Sequence, residues 1–220
     1  MAADLAYSIR RSDRARRIRV CVDPHDGIEV VLPRRAAARE AESAIAELRP
    51  WIEKRLAEAE RVRRRIAERG DTVPLLGTDL TLVAEPGRTR AHRKGDALHV
   101  PADPATQREA IERWYRRTAR QEIAPRLDAA AKAVGRPYTA LTIRAQRTRW
   151  GSCSATGAMS FNWRLLLGPE DVLDYVVWHE ACHLAVMDHS PRFWSLLAGH
   201  LPGYAEPRRW LRRHGATLVL

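Results

Sequence analysis

The stretch Trp178-His179-Glu180-Ala181-Cys182-His183-Leu184, written WHEACHL, decides how this chain is read. Its two histidines are four residues apart. On a helix they share one face about a turn apart, so both ring nitrogens can point at one metal ion. Glu180 follows His179 directly and is rotated from it by about 100°. That offset makes it a poor further ligand to the same ion. It does set the carboxylate beside an open coordination position, where it can take a proton from water. An H-E-x-x-H helix is read mechanically in this way, with the histidines on zinc and the glutamate as general base. Three polar residues that merely share a helix remain the plainer alternative, and the rest of the chain has to decide.

A catalytic zinc site needs a third protein ligand and leaves its fourth position to water. His189, six residues after His183, is the candidate. In an unbroken helix six residues turn through about 600°, equivalent to about 240°, which would aim His189 away from the metal. The helix must therefore end first. Asp188-His189-Ser190-Pro191 offers that exit, with Ser190 placed to cap a new helix and Pro191 at its first position. The full pattern is H-E-x-x-H-x5-H. Metzincin proteases share this spacing, but they carry glycine where this chain has Val186, and they need a later methionine turn, whereas no methionine follows Met187. Val172, Val176 and Val177 make the approaching helix apolar, and Phe193-Trp194 can cover the site from the next one. Ala181 and Cys182 fall away from the metal face.

The 220 residues suffice for one domain of ordinary size or a catalytic part with a small companion. The formal charge is +11, and the only lysines are Lys54, Lys94 and Lys132, so the excess is carried by arginine. Arginine forks suit phosphate and carboxylate, and a positive field favours an anionic partner. Solvated helix faces in an Ala- and Arg-rich chain are the bland reading. No run of 18 apolar residues and no signal-type segment occurs. The expectation is a soluble, cytoplasmic protein without a membrane span. Cys21, Cys153 and Cys182 are odd in number and widely spaced, which fits reduced thiols.

Alternation predicts a hairpin over residues 18–33 around Asp23-Pro24-His25-Asp26-Gly27. Residues 36–68 read as helix, divided by Pro50, with the basic run Arg61 to Arg65 on the second piece. β-type text returns from Thr72 to Val100. Asp103-Pro104 opens a long amphipathic helix carrying Ile111, Trp114, Tyr115, Ala119, Ile123, Leu127 and Val134, and Gly135-Arg136-Pro137 ends it. Residues 141–167 read as a second strand pair, LTIRAQ and AMSFNWRLLL, around the turn region RTRWGSCSATG. The class is α+β. A basic N-terminal part of hairpin, helices and short strands spans 1–103, and the part bearing the motif spans 104–220, as two parts or one continuous domain.

The run RTRWGSCSATGAMSFNWRLLLGPEDVLDYVVWHEACHLAVMDHSPRFW resembles the YgjP-like minimal zinc metallopeptidases, relatives of the SprT-like and Wss1-like proteins. The likeness extends from the Arg17-to-Pro33 hairpin through Trp51-Ile52 to the end. The resemblance implies one zinc ion held by His179, His183 and His189, with room for other divalent metals, and Glu180 as catalytic base. It also implies a zincin-like, gluzincin-type core, its H-E-x-x-H helix beside a small β-sheet and the Trp150-to-Trp163 hairpin near the cleft. The family usually has Leu and a small residue where this chain has Ala181 and Cys182.

Zinc-assisted hydrolysis of a peptide or protein is the leading expectation, with Ser160-Phe161-Asn162-Trp163 as the strand that would align an extended substrate. A second keeps the site but changes the substrate to a nucleoside triphosphate, whose phosphates Arg144, Arg147, Arg149 and Arg164 could hold. Trp150 and Asn162 complete the substrate-side candidates. A third makes the chain a nucleic-acid-associated protease, with basic helices at Arg10–Arg19 and Arg61–Arg65 contacting phosphate. His25, His92, His99, His200 and His214 lack ligand spacing, and Trp114, Trp178 and Trp210 read as core anchors. Cys153 has no histidine base left to make it a nucleophile.

Overall fold

A computed structural model describes residues 5–23, 27–146 and 149–220. His25 and Arg147 lie outside them. The chain forms two compact units, Met1–Gly70 and Asp71–Leu220.

In the first unit β1 (Tyr7–Ser12), β2 (Arg19–Asp23) and β3 (Gly27–Pro33) form a sheet in the order β1-β3-β2. The predicted hairpin is β2 with β3, in antiparallel register from Arg19 opposite Val31 to Asp23 opposite Gly27. β1 adds to the other side of β3 in parallel. Ile28, Val30 and Leu32 recur at the strand period of two and bury one face against Ala41 and Ile45 of α1 (Arg39–Glu47) and Ile52 of α2 (Arg49–Glu68). Pro50 sits in the first turn of α2, so the long helical text divides at Leu48 as its position requires.

The expected basic helix over Arg10–Arg19 does not form. Those residues are the end of β1, a turn, and the start of β2. Their arginines leave no apolar stripe that a helix could bury, whereas an edge strand tolerates charge. There Arg10 forms a forked pair with Glu29 on the neighbouring strand at 2.8 and 3.1 Å. The basic run on α2 is helical as read, and Arg61, Arg63 and Arg64 are exposed.

The second unit begins with β4 (Thr72–Leu75), β5 (Thr78–Glu85), β6 (His92–Lys94) and β7 (Ala97–Pro101), a sheet in the order β4-β5-β7-β6. Leu75, Leu80, Leu98 and Val100 join one apolar cluster with the long helix α3 (Pro104–Val134). These strands therefore belong to the same unit as the motif, and the division falls after Gly70, not after residue 103. The Asp103 carboxylate caps α3 by accepting the Ala105 N–H at 3.0 Å. Gly135, at φ +73°, ends the helix in the left-handed region that glycine enters without penalty.

Three further strands, β8 (Ala140–Arg144), β9 (Gly151–Cys153) and β10 (Ala158–Asn162), form a sheet in the order β8-β10-β9. The expected pair of β8 with β10 exists but is parallel, and the antiparallel partner of β10 is β9, a three-residue strand inside the supposed turn. Ser160–Asn162 thus occupies the middle of the sheet, hydrogen-bonded on both sides, and Trp163 opens the 3-10 turn that follows. It has no free edge to offer a substrate strand. Residue pattern reveals strands but not their order, and Gly-Ser-Cys carries too little apolar alternation to announce one.

The motif lies on α4 (Glu170–Cys182), followed by α5 (Pro191–His200) and α6 (Ala205–His214). Glu170 and Asp171 stand in the first turn of α4, where the helix dipole favours them. Arg126 of α3 clamps this helix through Asp174 at 2.9 Å and through Glu170. Among the described residues no helix is long and apolar enough to cross a membrane.

Leu127 is fully buried where α3 packs in the main core. Leu127→Ala is expected to cost about 2–5 kcal/mol in urea unfolding. A loss below about 0.5 kcal/mol would contradict this packing.

Candidate metal centre

Val172, Val176 and Val177 are buried on α4, so the helix is anchored by the apolar face that its sequence suggested. Regular helix stops at Cys182. Beyond it the bonds tighten to three-residue steps, His183 N–H to Glu180 O at 3.2 Å and Leu184 N–H to Ala181 O at 3.0 Å. The chain then leaves the helix axis as His189 requires.

The connection to α5 is held at several points. The His183 ring donates from Nδ1 to the Val186 carbonyl at 3.0 Å. Because a carbonyl can only accept, Nδ1 carries the proton and Nε2 of the neutral ring keeps a free lone pair. The Asp188 carboxylate accepts the Ser190 N–H at 3.0 Å and turns the chain into α5. Ser190 occupies the expected cap position, but its side chain makes no capping bond. The Trp194 indole N–H donates to the His189 carbonyl at 3.0 Å.

These constraints bring the three histidines together, with one ring nitrogen from each lying within 4.8 Å of the others. Nε2 of His189 and Nε2 of His179 are 3.1 Å apart. Two nitrogens bound to one tetrahedral zinc at 2.0–2.1 Å would be about 3.3 Å apart, so this pair already stands at nearly that separation. Burial, then the neighbouring charges of His183, His189 and Arg208, push the pKa of His179 down to about 3. Burial lowers that of His183 as well. Both rings stay neutral, as ligands must. His179 Nδ1 is buried without a hydrogen-bond partner among the described residues. Three imidazoles form a donor set that suits a zinc-type ion. Phe193 closes the cluster from α5, its ring centroid 4.5 Å from that of His183 and 4.9 Å from those of His179 and His189.

Glu180 is 6% exposed and lies against β9. Burial raises its pKa to about 7, opposed by a hydrogen bond from the Cys153 backbone and the charge of Arg149. A Cβ placed on Gly151 would lie 2.6 Å from Glu180 Cγ and 2.7 Å from Oε1, so the missing side chain is what admits the carboxylate. Cys153 is a thiol pushed up to about 11 by burial and by Glu180, and no nucleophile is formed there.

The substrate-side candidates scatter. Arg149 is tied to the site through its effect on Glu180. Arg144 is exposed at the end of β8, and Arg164 packs over the Trp163 ring at 5.6 Å. Asn162 is buried: its amide donates to the carbonyls of Gln146 at 2.7 Å and Arg149 at 3.3 Å, and its oxygen accepts the Arg164 N–H at 3.1 Å. It shapes the loop before β9. Trp150 packs on Gly215, where a Cβ would lie 2.9 Å from the indole. Sequence reasoning passed over Gly151, Tyr175, whose ring centroid lies 5.7 Å from that of His179, and Arg208. The first was legible as a glycine in WGSCS, but the last lies 19 residues beyond His189 with no pattern to mark it. His99 hydrogen-bonds Glu85 at 2.5 Å, His200 stacks on Trp178, and His214 packs on Trp210, all apart from the cluster.

α4 and its C-cap thus carry His179, Glu180 and His183 in the H-E-x-x-H pattern, and the chain beyond returns His189 to them as a group that could hold a metal ion. The family model described as YgjP-like, metallopeptidase domain, matches residues 16–214, and the chain belongs to that family. Membership implies a metal and a peptide or protein substrate. Among solved structures, the metallopeptidase zymogen of Pyrococcus abyssi abylysin is similar to part of the chain. It is 22% identical with a TM-score of 0.37, over 41% of this chain and 93% of that one. No curated protein matches.

Two outcomes follow from the packing of Glu180. A carboxyl whose folded pKa is raised to about 7 from 4.5 contributes stability below pH 4.5 that is lost as pH rises through 7. Glu180→Gln should therefore raise the melting temperature of metal-free protein more at pH 8 than at pH 4.5, and an equal shift at both would exclude a buried, proton-holding carboxyl. Gly151→Ala should bind metal as the wild type does yet lose roughly a hundredfold or more in peptidase rate, because the added methyl displaces the Glu180 carboxylate. Undiminished turnover would show that Glu180 needs no such space.

Proposed function

We propose that the chain is a zinc-dependent peptidase of the zincin type, with a gluzincin-like core in residues 104–220. In this reading His179, His183 and His189 hold a single zinc ion and Glu180 is the general base. The convergence of three ring nitrogens beside the buried Glu180 carries it. When bound, zinc acidifies water and polarises a carbonyl.

The chain's own residues do the rest. The Val186 carbonyl and the indole of Trp194 orient His183 and the His189 segment, so the ligands need little rearrangement. Phe193 excludes water from one side of the cluster. Glu180 accepts the proton of the attacking water on a carboxylate oxygen and can return it to the leaving amine. The Cys153 N–H and Gly151 fix the carboxylate from behind. β9 is the edge of its sheet nearest Glu180, which favours it over β10 as the strand that aligns an extended peptide.

Glu180→Gln should retain one zinc per chain and lose about 10²- to 10⁴-fold in kcat on unfolded protein. His189→Ala should lose the metal itself. Metal analysis beside a proteolysis assay reads both, and a fully active Gln variant would remove Glu180 from the role.

A further inference from the structure

The rim of the histidine cluster carries a cation with no ion-pair partner among the described residues. Arg208 is exposed on α6, with its guanidinium carbon 4.4 Å from the centroid of the Trp194 ring. The same ring lies 6.0 Å from His179 and 5.7 Å from His189. Trp194 is fixed in turn by its hydrogen bond to the His189 carbonyl and by Tyr204, which stacks on it at 5.6 Å and 19°. The next residue, Arg209, is occupied by Glu206, whereas among the described residues Arg208 pairs with no carboxylate and rests on the indole. A guanidinium resting on an aromatic face keeps its edge donors available, and its planar fork loses little freedom on closing over a planar anion.

We infer that Arg208 is a specificity residue that binds a carboxylate of the substrate beside the bond held at the three-histidine cluster, an inference that rests on the peptidase reading above. Two N–H···O bonds from one fork would fix both the position and the direction of the peptide. The carboxylate has two sources, a free C-terminus or an Asp or Glu side chain, and both present the same flat anion. Arg149, on the Glu180 side, adds to a positive setting in which an acidic peptide is steered inward and a basic one repelled.

Two pairs of otherwise identical peptides separate the sources, one pair ending in a carboxylate or a carboxamide and the other carrying an internal Glu or Gln. Metal-loaded wild type is expected to favour the acidic member of at least one pair by roughly tenfold in kcat/KM, mainly through KM. Arg208→Glu should reverse the preference, which loss of packing alone would not do, and Arg208→Lys should keep part of it. Equal kcat/KM within both pairs, or a preference that survives Arg208→Glu, overturns the inference. If no peptide is cleaved, the same pairs carrying an N-terminal metal-chelating hydroxamate report binding by calorimetry. An acid preference that Arg208→Glu reverses then upholds the carboxylate anchor while the peptidase reading falls, and the absence of any preference overturns the anchor too.

Discussion

Two side chains on successive turns of one helix can aim at a common point, but a third from the same helix cannot join them. Everything around the candidate centre answers that constraint. α4 ends at Cys182, the following residues tighten and turn away, and His189 returns from outside the helix to stand 3.1 Å from His179. The bond from His183 to the Val186 carbonyl makes the turn and orients a ring at once. Arg126, the valines of α4 and the aromatic residues of α5 hold the two helices against which this turn is measured.

Burial acts on the centre in opposite directions with one result. It pushes His179 down and Glu180 up, so without metal the imidazole is neutral and the carboxyl about half protonated near pH 7. A cation entering the cluster reverses the balance at Glu180, because a nearby positive charge stabilises a carboxylate. A metal ion bound there would therefore draw Glu180 toward its ionised form, while in its absence burial keeps the charge at the centre low.

Much of this was legible in the residues. His179, His183 and the helix break before His189 follow from a spacing that only one local geometry satisfies, and Asp103, Pro104 and Gly135 mark α3 by capping chemistry. Less visible was anything that depends on which strand lies beside which. β9 is three residues without apolar alternation, and the central place of β10 comes from its two partners, not from its own text. The arginines misled in both directions. Arg10 to Arg19 carried charge but no helical face, and Arg208 reaches the cluster only through the packing of α6 on Trp194.

The segment from Leu184 to Asp188 places a further demand on the chain. Its side chains differ widely in role: Met187 is exposed, Val186 is buried, and Val186 contributes through its carbonyl, which any residue possesses. What the segment must conserve is its number of residues, since one more or one fewer would shift His189 by an interval that no rotamer recovers. At the exposed Met187 identity is free to drift, whereas Val186 is packed and the Asp188 side chain turns the chain; length is fixed over all five positions, so the segment is less tolerant of insertion or deletion than of substitution.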